Sequence, residues 1–407
     1  MVSTSGWNKW SLGKLVSETK TTIQTGPFGT VLSASEFVDY GIPVVSVREI
    51  REGFIRITDE TPCVTEETFS RLSKYSLSEK DIVFARKGSV DRSALIPGGR
   101  RKYFLGSDGI RIRFDQDAVV PELMLYIFQS PSTKQFLVQS AYGTTMAGLN
   151  EKILCSLEFY LPNTVTEQRD IAHILKDIDK QLVVIAEMID KKKTIKQGAM
   201  QELLTGKKRL PGFSGEWEFV VLGEASAFYN GGTPSKKRDD WWNGNIPWVS
   251  SSDLCDGSIT AVNIDRFITH DAVEHSPTRI CPKNAVLVVT RVGVGKVAVA
   301  PCELCTSQDF TTIVSNRHNP YFLAYMLVPI LKELAAQAQG TSIKGVTVEE
   351  IQKIRIPTPT MEEQNQIVNI LADIDSEIEA LQQKLEKYRQ LKQGMMQQLL
   401  TGKIRLV

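Results

Sequence analysis

The chain contains 407 residues, of which 42% are hydrophobic and 23% are charged, as in an ordinary globular protein. A single hydrophobic core rarely serves more than about 250–300 residues, so this length predicts at least two domains. The formal net charge of +1 excludes a generally basic surface, and a nucleic-acid interface would therefore need local clusters of cations.

The sequence lacks the features of export and of membrane insertion. Its first residues contain no apolar segment of signal-peptide length, and no stretch approaches the roughly 18 apolar residues of a membrane helix. Six scattered cysteines suit a reducing compartment better than a disulfide framework. We therefore expect a cytoplasmic protein without a membrane partner.

Residues 1–162 are predicted to form a first globule. A glycine-rich turn at residues 25–29 precedes short β-type runs at residues 42–47 and 81–88, and a helical stretch covers residues 121–141. Short strands mixed with helices are typical of an α+β or mixed α/β fold.

Residues 163–210 are predicted to form a long helical spacer. An apolar seam alternates steps of four and three residues over residues 171–189, breaks at Lys192 and Lys196, and then resumes. This spacing, without an internal proline, is typical of a coiled coil. A helix over residues 167–204 would be roughly 55 Å long.

Residues 211–358 repeat the first globule in outline. A glycine-rich turn at residues 231–235, β-type runs at residues 246–251 and 286–293, and a helical stretch over residues 320–338 follow in the same order. The run 286–293 is aligned with the run 81–88 of the first globule. A retained framework with altered loops is how related domains come to bind different targets.

The remaining residues, 359–407, are a second copy of the helical spacer. Residues 167–210 and their partners 196 positions later are identical at 21 of 44 positions, without a gap. A solenoid unit is far shorter, roughly 20–50 residues. The chain is therefore two copies of one half. The two helices most simply pack as an antiparallel pair with the globules at opposite ends.

Motifs for catalysis and for metal binding are incomplete. Residues 293–298 match G-x-G-x-x-A, but a strand is predicted after them where a dinucleotide fold needs a helix. Residues 319–322 are similar to an amino-methyltransferase loop, but they lack its second proline and indicate the start of a helix. Cys302 and Cys305 have zinc-like spacing without the further ligands that zinc needs.

Basic clusters are a further signal, although most such clusters are solvated faces. They occur at residues 100–102, 191–193, 207–209 and 236–238. The last cluster directly precedes Asp239-Asp240-Trp241-Trp242, so cations and aromatic rings share one loop. The two tryptophans either stay exposed there or pack beneath the loop.

Together these features resemble the specificity subunit of a type I restriction–modification system, over nearly the whole chain. The resemblance is carried by residues 167–213 and their copies from Glu363 onward, and by Gly-Gly-Thr-Pro-Ser at residues 231–235. Ile-Pro-Trp-Val at residues 246–249 and Gly-Thr-Ser at residues 340–342 are also typical. The first globule departs from this pattern, with Gly-Pro-Phe-Gly at its turn.

The resemblance implies that each globule is a target-recognition domain that reads one half of a split DNA sequence. It implies that the helices set the distance between the halves and carry two adenine methyltransferase subunits, with restriction/translocase subunits joining for cleavage. It also implies no catalysis by this chain. S-adenosylmethionine, ATP and magnesium would belong to the partner subunits, and we expect no cofactor and no metal here.

Candidate DNA-contacting residues lie on the loops, where polar and cationic side chains suit base edges and phosphates. In the first globule they are Gln24, Thr25, Ser46, Arg48, Arg86 and Lys87. In the second globule they are Thr233, Ser235, Lys236, Lys237, Arg238, Ser250, Ser251, Ser252, Asp253 and Arg291. For Arg86 and Arg291 the alternative is a salt bridge that closes a strand end.

Two other classes of function stay open. A coiled-coil adaptor without a role in DNA recognition would show no salt-dependent binding to duplex DNA. A stand-alone DNA enzyme would transfer methyl groups or cleave DNA as the purified chain.

Overall fold

The computed structural model describes residues 6–142, 148–338 and 345–406. The motif residues 340–342 and their counterparts 143–145 lie outside these ranges. By compactness the chain forms unit 1, Met1–Ile185 with Lys384–Val407, and unit 2, Ala186–Gln383. The division predicted at residues 162, 210 and 358 follows the sequence repeat instead and stays a prediction. No described helix is both long and apolar enough to cross a lipid bilayer.

The described residues of unit 1 contain ten strands in three sheets. They are β1 (Trp7–Ser11), β2 (Thr22–Thr25), β3 (Ile42–Val45), β4 (Cys63–Val64), β5 (Ser76–Leu77), β6 (Ile82–Ala85), β7 (Ser93–Leu95), β8 (Tyr103–Leu105), β9 (Gly109–Arg113) and β10 (Glu158–Pro162). The sheet orders are β2-β9-β6-β7, β4-β3-β8-β5 and β1-β10. The pairing of β3 with β8 is parallel, and the other pairings within these sheets are antiparallel.

Unit 2 repeats this topology strand for strand. Its strands are β11 (Glu218–Val221), β12 (Ser226–Asn230), β13 (Ile246–Val249), β14 (Phe267–Ile268), β15 (Ile280–Cys281), β16 (Val286–Val289), β17 (Val297–Val299), β18 (Leu304–Thr306), β19 (Phe310–Ser315) and β20 (Arg355–Thr358). The sheet orders are β12-β19-β16-β17, β14-β13-β18-β15 and β11-β20, again with one parallel pair, β13 with β18. The predicted internal duplication therefore extends to the globules.

The helices complete the mixed α/β fold that the sequence predicts. They are α1 (Leu12–Glu18), α2 (Glu66–Arg71), α3 (Pro121–Gln129), α4 (Pro131–Tyr142), α5 (Glu151–Cys155), α6 (Val165–Leu203), α7 (His270–Glu274), α8 (Pro320–Ala338), α9 (Val348–Gln352) and α10 (Met361–Leu399). The helical stretch predicted over residues 121–141 is confirmed, although Ser130 divides it into α3 and α4. Ser130 is extended there (ψ 145°), as the residue before a proline prefers to be.

Each globule is built around a central strand that is buried on both faces. Ile82 and Phe84 of β6 belong to a core cluster with α3 and α6, whereas Val83 and Ala85 belong to a cluster with β3 and β8. The residues of β16 divide between two clusters in the same way. Because successive side chains of a strand point to opposite faces, one sheet serves a helical layer and a second sheet.

The two long helices, α6 and α10, have 39 residues each, which corresponds to about 58 Å. In unit 1, Leu399 shares a core cluster with Ile171, and Lys392 contacts Asp179. Residue numbers rise along one segment as they fall along the other, so the segments are antiparallel, as predicted. The corresponding pairs in unit 2 are Leu203 with Ile367 and Lys196 with Asp375.

Candidate nucleic-acid interface

In unit 1 the loops after β2, β3 and β6 meet at the turn that joins β8 to β9. The amide of Gly26 donates to the carbonyl of Gly109 (2.9 Å), and that of Arg86 donates to Asp108 (2.8 Å). The amide of Gly106 donates to the last residue of β3 (2.8 Å). A Cβ on Gly26 would lie 1.8 Å from the Gly106 carbonyl oxygen, so only glycine fits. The turn brings together the end of β2, which carries Gln24 and Thr25, and the loops that carry Ser46, Arg48, Arg86 and Lys87. The predicted loop position of Gln24 and Thr25 is therefore wrong, because both pair with β9.

The cationic side chains of these loops differ in their surroundings. The Arg86 guanidinium lies 5.2 Å from the centre of the Phe28 ring, which is 56% exposed. The Lys87 ammonium lies 3.0 Å from the Asp108 carboxylate, so Lys87 makes the salt bridge at the strand end. Arg48 is exposed and lines a cleft of about 280 Å³.

The polar candidates of unit 1 bond within the globule. The Gln24 side chain donates to the carbonyl of Thr25 (2.7 Å), and the Thr25 hydroxyl donates to Glu151 (2.9 Å). The Ser46 amide donates to the Glu49 carboxylate (3.0 Å). These bonds order the loops on which the cations lie.

Unit 2 has the same convergence at the turn between β18 and β19. The amide of Gly231 donates to Phe310 (3.3 Å), and that of Thr290 donates to Asp309 (2.8 Å). The amide of Ser307 donates to the last residue of β13 (2.9 Å). A Cβ on Gly231 would lie 2.0 Å from the Ser307 carbonyl oxygen, so the same close approach requires glycine in both globules.

These bonds define which residues correspond between the units. Thr290 makes the amide bond that Arg86 makes, so Arg291 corresponds to Lys87 and not to Arg86. The predicted alignment of run 81–88 with run 286–293 is therefore wrong by one residue. A shift of one residue along the strand would exchange the side chains on its two buried faces. The packing of both faces therefore sets the register of the strand. Arg291 is exposed on the turn after β16.

The basic loop of unit 2 begins at Thr233 and Ser235. The Thr233 hydroxyl bonds to the Gln308 side chain in the central turn, and the Ser235 hydroxyl accepts from the amide of Lys237 (3.4 Å). Ser235 is exposed. The loop is thus tied at its first residue to the turn on which the other loops converge.

Three exposed cations follow in this loop. Arg238 forms a 2.6 Å salt bridge with Asp240, and its guanidinium lies 4.7 Å from the centre of the Trp241 ring. The hydrogen bond with Asp240 raises the pKa of Arg238. Part of the charge of Arg238 is therefore balanced locally, which leaves Lys236 and Lys237 as the better candidates for a phosphate contact.

The two tryptophans pack beneath the loop, one of the two predicted alternatives. Trp241 is 9% exposed. The indole of Trp242 donates to the Ser235 carbonyl (3.2 Å) and meets Trp248 edge to face, with ring centres 5.0 Å apart. Trp242 also lines a cleft of about 470 Å³ together with Lys236.

The predicted Ser-Ser-Ser-Asp run forms a capped turn. The amide and hydroxyl of Ser250 donate to Asp253 (2.6 and 3.0 Å), and the Ser252 hydroxyl lies 2.9 Å from that of Ser250. Ser251 is half-buried. Asp253 also forms a salt bridge with Arg266, a residue that the sequence analysis missed. The only feature of the sequence that indicates Arg266 is its positive charge, thirteen positions after the negative charge of Asp253.

The motifs that suggested other chemistry have structural explanations. Residues 293–298 lead into β17, and residues 319–322 begin α8, as predicted. Burial raises the pKa of the Cys305 thiol to about 11. Within the described ranges, no cluster of three or more histidine, cysteine or acidic side chains could hold a metal ion.

The repeated Glu-Gln pair attaches each globule to a long helix. The side-chain oxygen of Gln168 accepts from the amide just before α3 (2.9 Å), and its nitrogen donates to the carbonyl at the end of β10 (3.1 Å). Gln364 makes the same two bonds, to the amide before α8 (2.8 Å) and to the carbonyl after β20 (3.0 Å).

A second repeated contact explains the lysines that interrupt the helical seam. In unit 1 the Tyr126 hydroxyl donates to Asp179 (2.7 Å), and Lys392 lies 2.6 Å from the other carboxylate oxygen. Desolvation and this bond raise the pKa of Tyr126. The corresponding residues of unit 2 are Tyr325, Asp375 and Lys196, at 2.7 and 2.5 Å. Each cluster joins a globule to both helical segments of its unit.

The glycine of the repeated Leu-Leu-Thr-Gly-Lys motif packs against a tryptophan in each unit. In unit 1, Gly402 has φ +68° and lies against the face of Trp7, whose indole donates to Glu167 (3.2 Å). Arg405 pairs with the same carboxylate at 2.9 Å. The corresponding residues of unit 2 are Gly206, Trp217, Glu363 and Arg209.

Comparisons with known proteins agree with this architecture. A family model described as the type I restriction modification DNA specificity domain matches residues 27–197 and 214–388. The putative type I restriction enzyme MjaX specificity subunit of Methanocaldococcus jannaschii is 26% identical over 383 residues, 90% of this chain and 88% of that protein.

Two solved structures share the fold. One is a chain from a structure of the assembly and conformational transition of the type I R-M system, with a TM-score of 0.62 and 18% identity over 98% of both chains. The other is the S subunit of a type I restriction–modification system from M. genitalium. Its TM-score is 0.60 and its identity 14%, over 97% of this chain and 96% of that chain.

Proposed function

The chain belongs to the family of type I restriction–modification DNA specificity proteins, and from this premise we propose that each globule reads one half of a bipartite DNA sequence. One observation carries the proposal. In both units three loops converge on one turn through equivalent backbone hydrogen bonds, yet the side chains on the loops differ. Unit 1 has Arg86 where unit 2 has Thr290. A shared frame with exchanged side chains suits two related readers of different sequences.

The chain acts as a recognition subunit and leaves catalysis to its partners. We propose two adenine methyltransferase subunits that hold S-adenosylmethionine, and restriction/translocase subunits that hold ATP and magnesium, together in the cytoplasm. Support comes from repeated apolar positions on the long helices. Ile195 in unit 2 is 46% exposed, and Leu391, its counterpart in unit 1, is 50% exposed. Equivalent exposed positions fit two copies of one partner.

Exchange of one globule tests the proposal of split reading. Residues 214–355 are replaced by the corresponding globule of another family member, and the chain is expressed with its methyltransferase partner. Methylated adenines mapped by single-molecule sequencing should then show a change in one half of the motif. The reciprocal exchange of residues 1–160 is the control and should change the opposite half. A motif that changes in both halves, or in neither, would contradict split reading.

We further propose that α6 and α10 set the distance between the half-sites. The test inserts seven residues after Ile185 and seven after Leu381, 196 positions later, so that the ion pairs within each unit keep their register. The added length is about 10 Å, or about three base pairs. The preferred spacing should lengthen accordingly while both half-sites stay the same. An unchanged spacing would refute the role of the helices.

A further inference from the structure

Unit 2 contains an arginine beneath its basic loop that is held by an aromatic ring and a carboxylate. Arg266 immediately precedes β14, and its guanidinium lies 4.6 Å from the centre of the Trp248 ring. Its Nη2 donates to the Ser250 hydroxyl (2.7 Å) and to the carboxylate of Asp253. A ring against one face and acceptors at one edge restrict the rotamers of this long side chain.

The restrained guanidinium keeps donors for another acceptor. The hydrogen bonds that its side chain makes within the described chain all use Nη2, and their two acceptors adjoin each other because the Ser250 hydroxyl donates to Asp253 (3.0 Å), so one Nη2 hydrogen can serve both. The second Nη2 hydrogen and the parallel hydrogen of the neighbouring guanidinium nitrogen then form a donor pair along one edge. The side chain is 37% exposed and lines the cleft of about 470 Å³ together with Lys236, Asp239, Trp242 and Asn243. The cleft therefore combines a fixed arginine fork with a free cation at its rim.

Asp253 is suited to position this arginine. Its side chain is 15% exposed and accepts bonds from the amide and the hydroxyl of Ser250 as well as from Arg266. A carboxylate so occupied offers little to a DNA base. Asp253, predicted as a direct contact, instead fixes the direction of the guanidinium.

Unit 1 has the same backbone at this place with a different residue. The amide of Val44 donates to the carbonyl of Pro62 (2.8 Å), as the amide of Trp248 donates to Arg266 (2.9 Å). Proline has no side-chain donor. The arginine is therefore a difference between the two globules on a shared frame, as expected of a residue that distinguishes the half-sites.

We infer that Arg266 determines part of the specificity of unit 2 by donating two hydrogen bonds to a guanine in the major groove, with Asp253 as its positioning residue. The inference rests on the proposed function and adds the residue and the base. Guanine presents two adjacent acceptors, O6 and N7, on its major-groove edge, and the arginine fork matches this pair. Lys236 at the rim of the cleft is placed for a neighbouring phosphate.

The test uses the full chain assembled with its methyltransferase subunits. Binding is measured to duplexes in which each base pair of both half-sites is varied in turn. For Arg266→Ala we expect the preference for guanine to fall about tenfold or more at one position of one half-site. Asp253→Asn should weaken the preference at the same position, and it should add nothing in the Arg266→Ala background, because Asp253 acts through Arg266.

A matched control and a second variant make the result decisive. Arg317→Ala removes another exposed arginine of unit 2, one paired with Glu218, and should leave every preference unchanged. Arg266→Lys keeps the charge without the planar fork. It should lose the guanine preference while the salt dependence of binding stays the same, and thermal unfolding checks that the unit remains folded.

Two outcomes would overturn the inference. One is an equal loss of affinity for all duplexes, with a salt dependence reduced by about one phosphate contact, which would assign Arg266 to the DNA backbone. The other is a guanine preference retained in both Arg266 variants. Failure of the proposed function is distinguishable, because the unaltered complex would then show no base preference in either half-site.

Discussion

Replacement of Lys196 by methionine is expected to destabilise unit 2, although the sequence pattern suggests the opposite. Lys196 interrupts an apolar coiled-coil seam, so an apolar side chain there should improve the packing of the helices. In the structure its ammonium lies 2.5 Å from the Asp375 carboxylate and 5.2 Å from the centre of the Tyr325 ring. Methionine would leave that carboxylate without its counter-charge.

The expected loss follows from the burial of the pair. The side chains of Lys196 and Asp375 are 13% and 29% exposed. Removal of one partner from a fully buried pair costs about 3–5 kcal/mol. Because Asp375 keeps the bond from Tyr325 and part of its hydration, we expect about 2 kcal/mol. For Lys392→Met in unit 1, where the pair is 24% and 36% exposed, we expect about 1 kcal/mol.

Urea unfolding followed by tryptophan fluorescence measures this loss, since four of the six tryptophans lie in residues 186–383. The double variant Lys196→Met with Asp375→Asn should recover most of the stability because it leaves no charge unpaired. The coupling free energy between the two sites should be about 1 kcal/mol or more. An unchanged or increased free energy of unfolding for Lys196→Met alone would refute the ion-pair reasoning.

Three further predictions concern stability in acid, the glycines that pack against Trp7 and Trp217, and the basic loop. His318 lies buried between Ser315 and Thr358, and desolvation lowers its pKa to about 4 from the usual 6.5. Because the folded protein holds His318 neutral while the unfolded chain binds a proton below pH 6.5, the free energy of unfolding should fall as the pH drops from 6.5 toward 4, by up to about 3 kcal/mol. His318→Gln should remove this dependence in urea titrations, and an equal acid response in both proteins would contradict it. Alanine at Gly206 or Gly402 should cost about 1–2 kcal/mol for the left-handed backbone. The cost should be larger at Gly402, where a Cβ would lie 3.0 Å from Trp7 against 3.3 Å from Trp217 at Gly206, and thermal unfolding ranks the two. Lys236→Ala with Lys237→Ala should reduce the salt dependence of DNA binding by up to about two phosphate contacts. An unchanged slope would remove this loop from the interface.

Much of the architecture was predictable because the spacing of apolar residues follows short periods and the chain repeats itself after 196 residues. The four-three alternation placed both long helices within two residues of their observed ends, Val165–Leu203 and Met361–Leu399. Runs of β-branched residues located the central strands. The repeat predicted the antiparallel packing, since two copies related by a two-fold axis across the helices run in opposite directions.

The register and the use of charge were decided only by the tertiary structure. The β-type run at residues 286–293 can be aligned with residues 81–88 in either of two registers, and only burial of the strand against a second sheet selects one. The predicted alignment of Arg86 with Arg291 is corrected for this reason. Likewise, nothing in the local sequence pairs Lys196 with Asp375 or Asp253 with Arg266.

In general, periodicity is a property of neighbours along the chain, so the sequence by itself determined the helices, the strands and the duplication. Whether a charged side chain stabilises the fold or remains available to DNA depends on partners brought close by folding, across 179 residues for Lys196 and Asp375. That distinction belongs to the tertiary structure, because the Coulomb energy of a pair depends on its distance in space and on its burial.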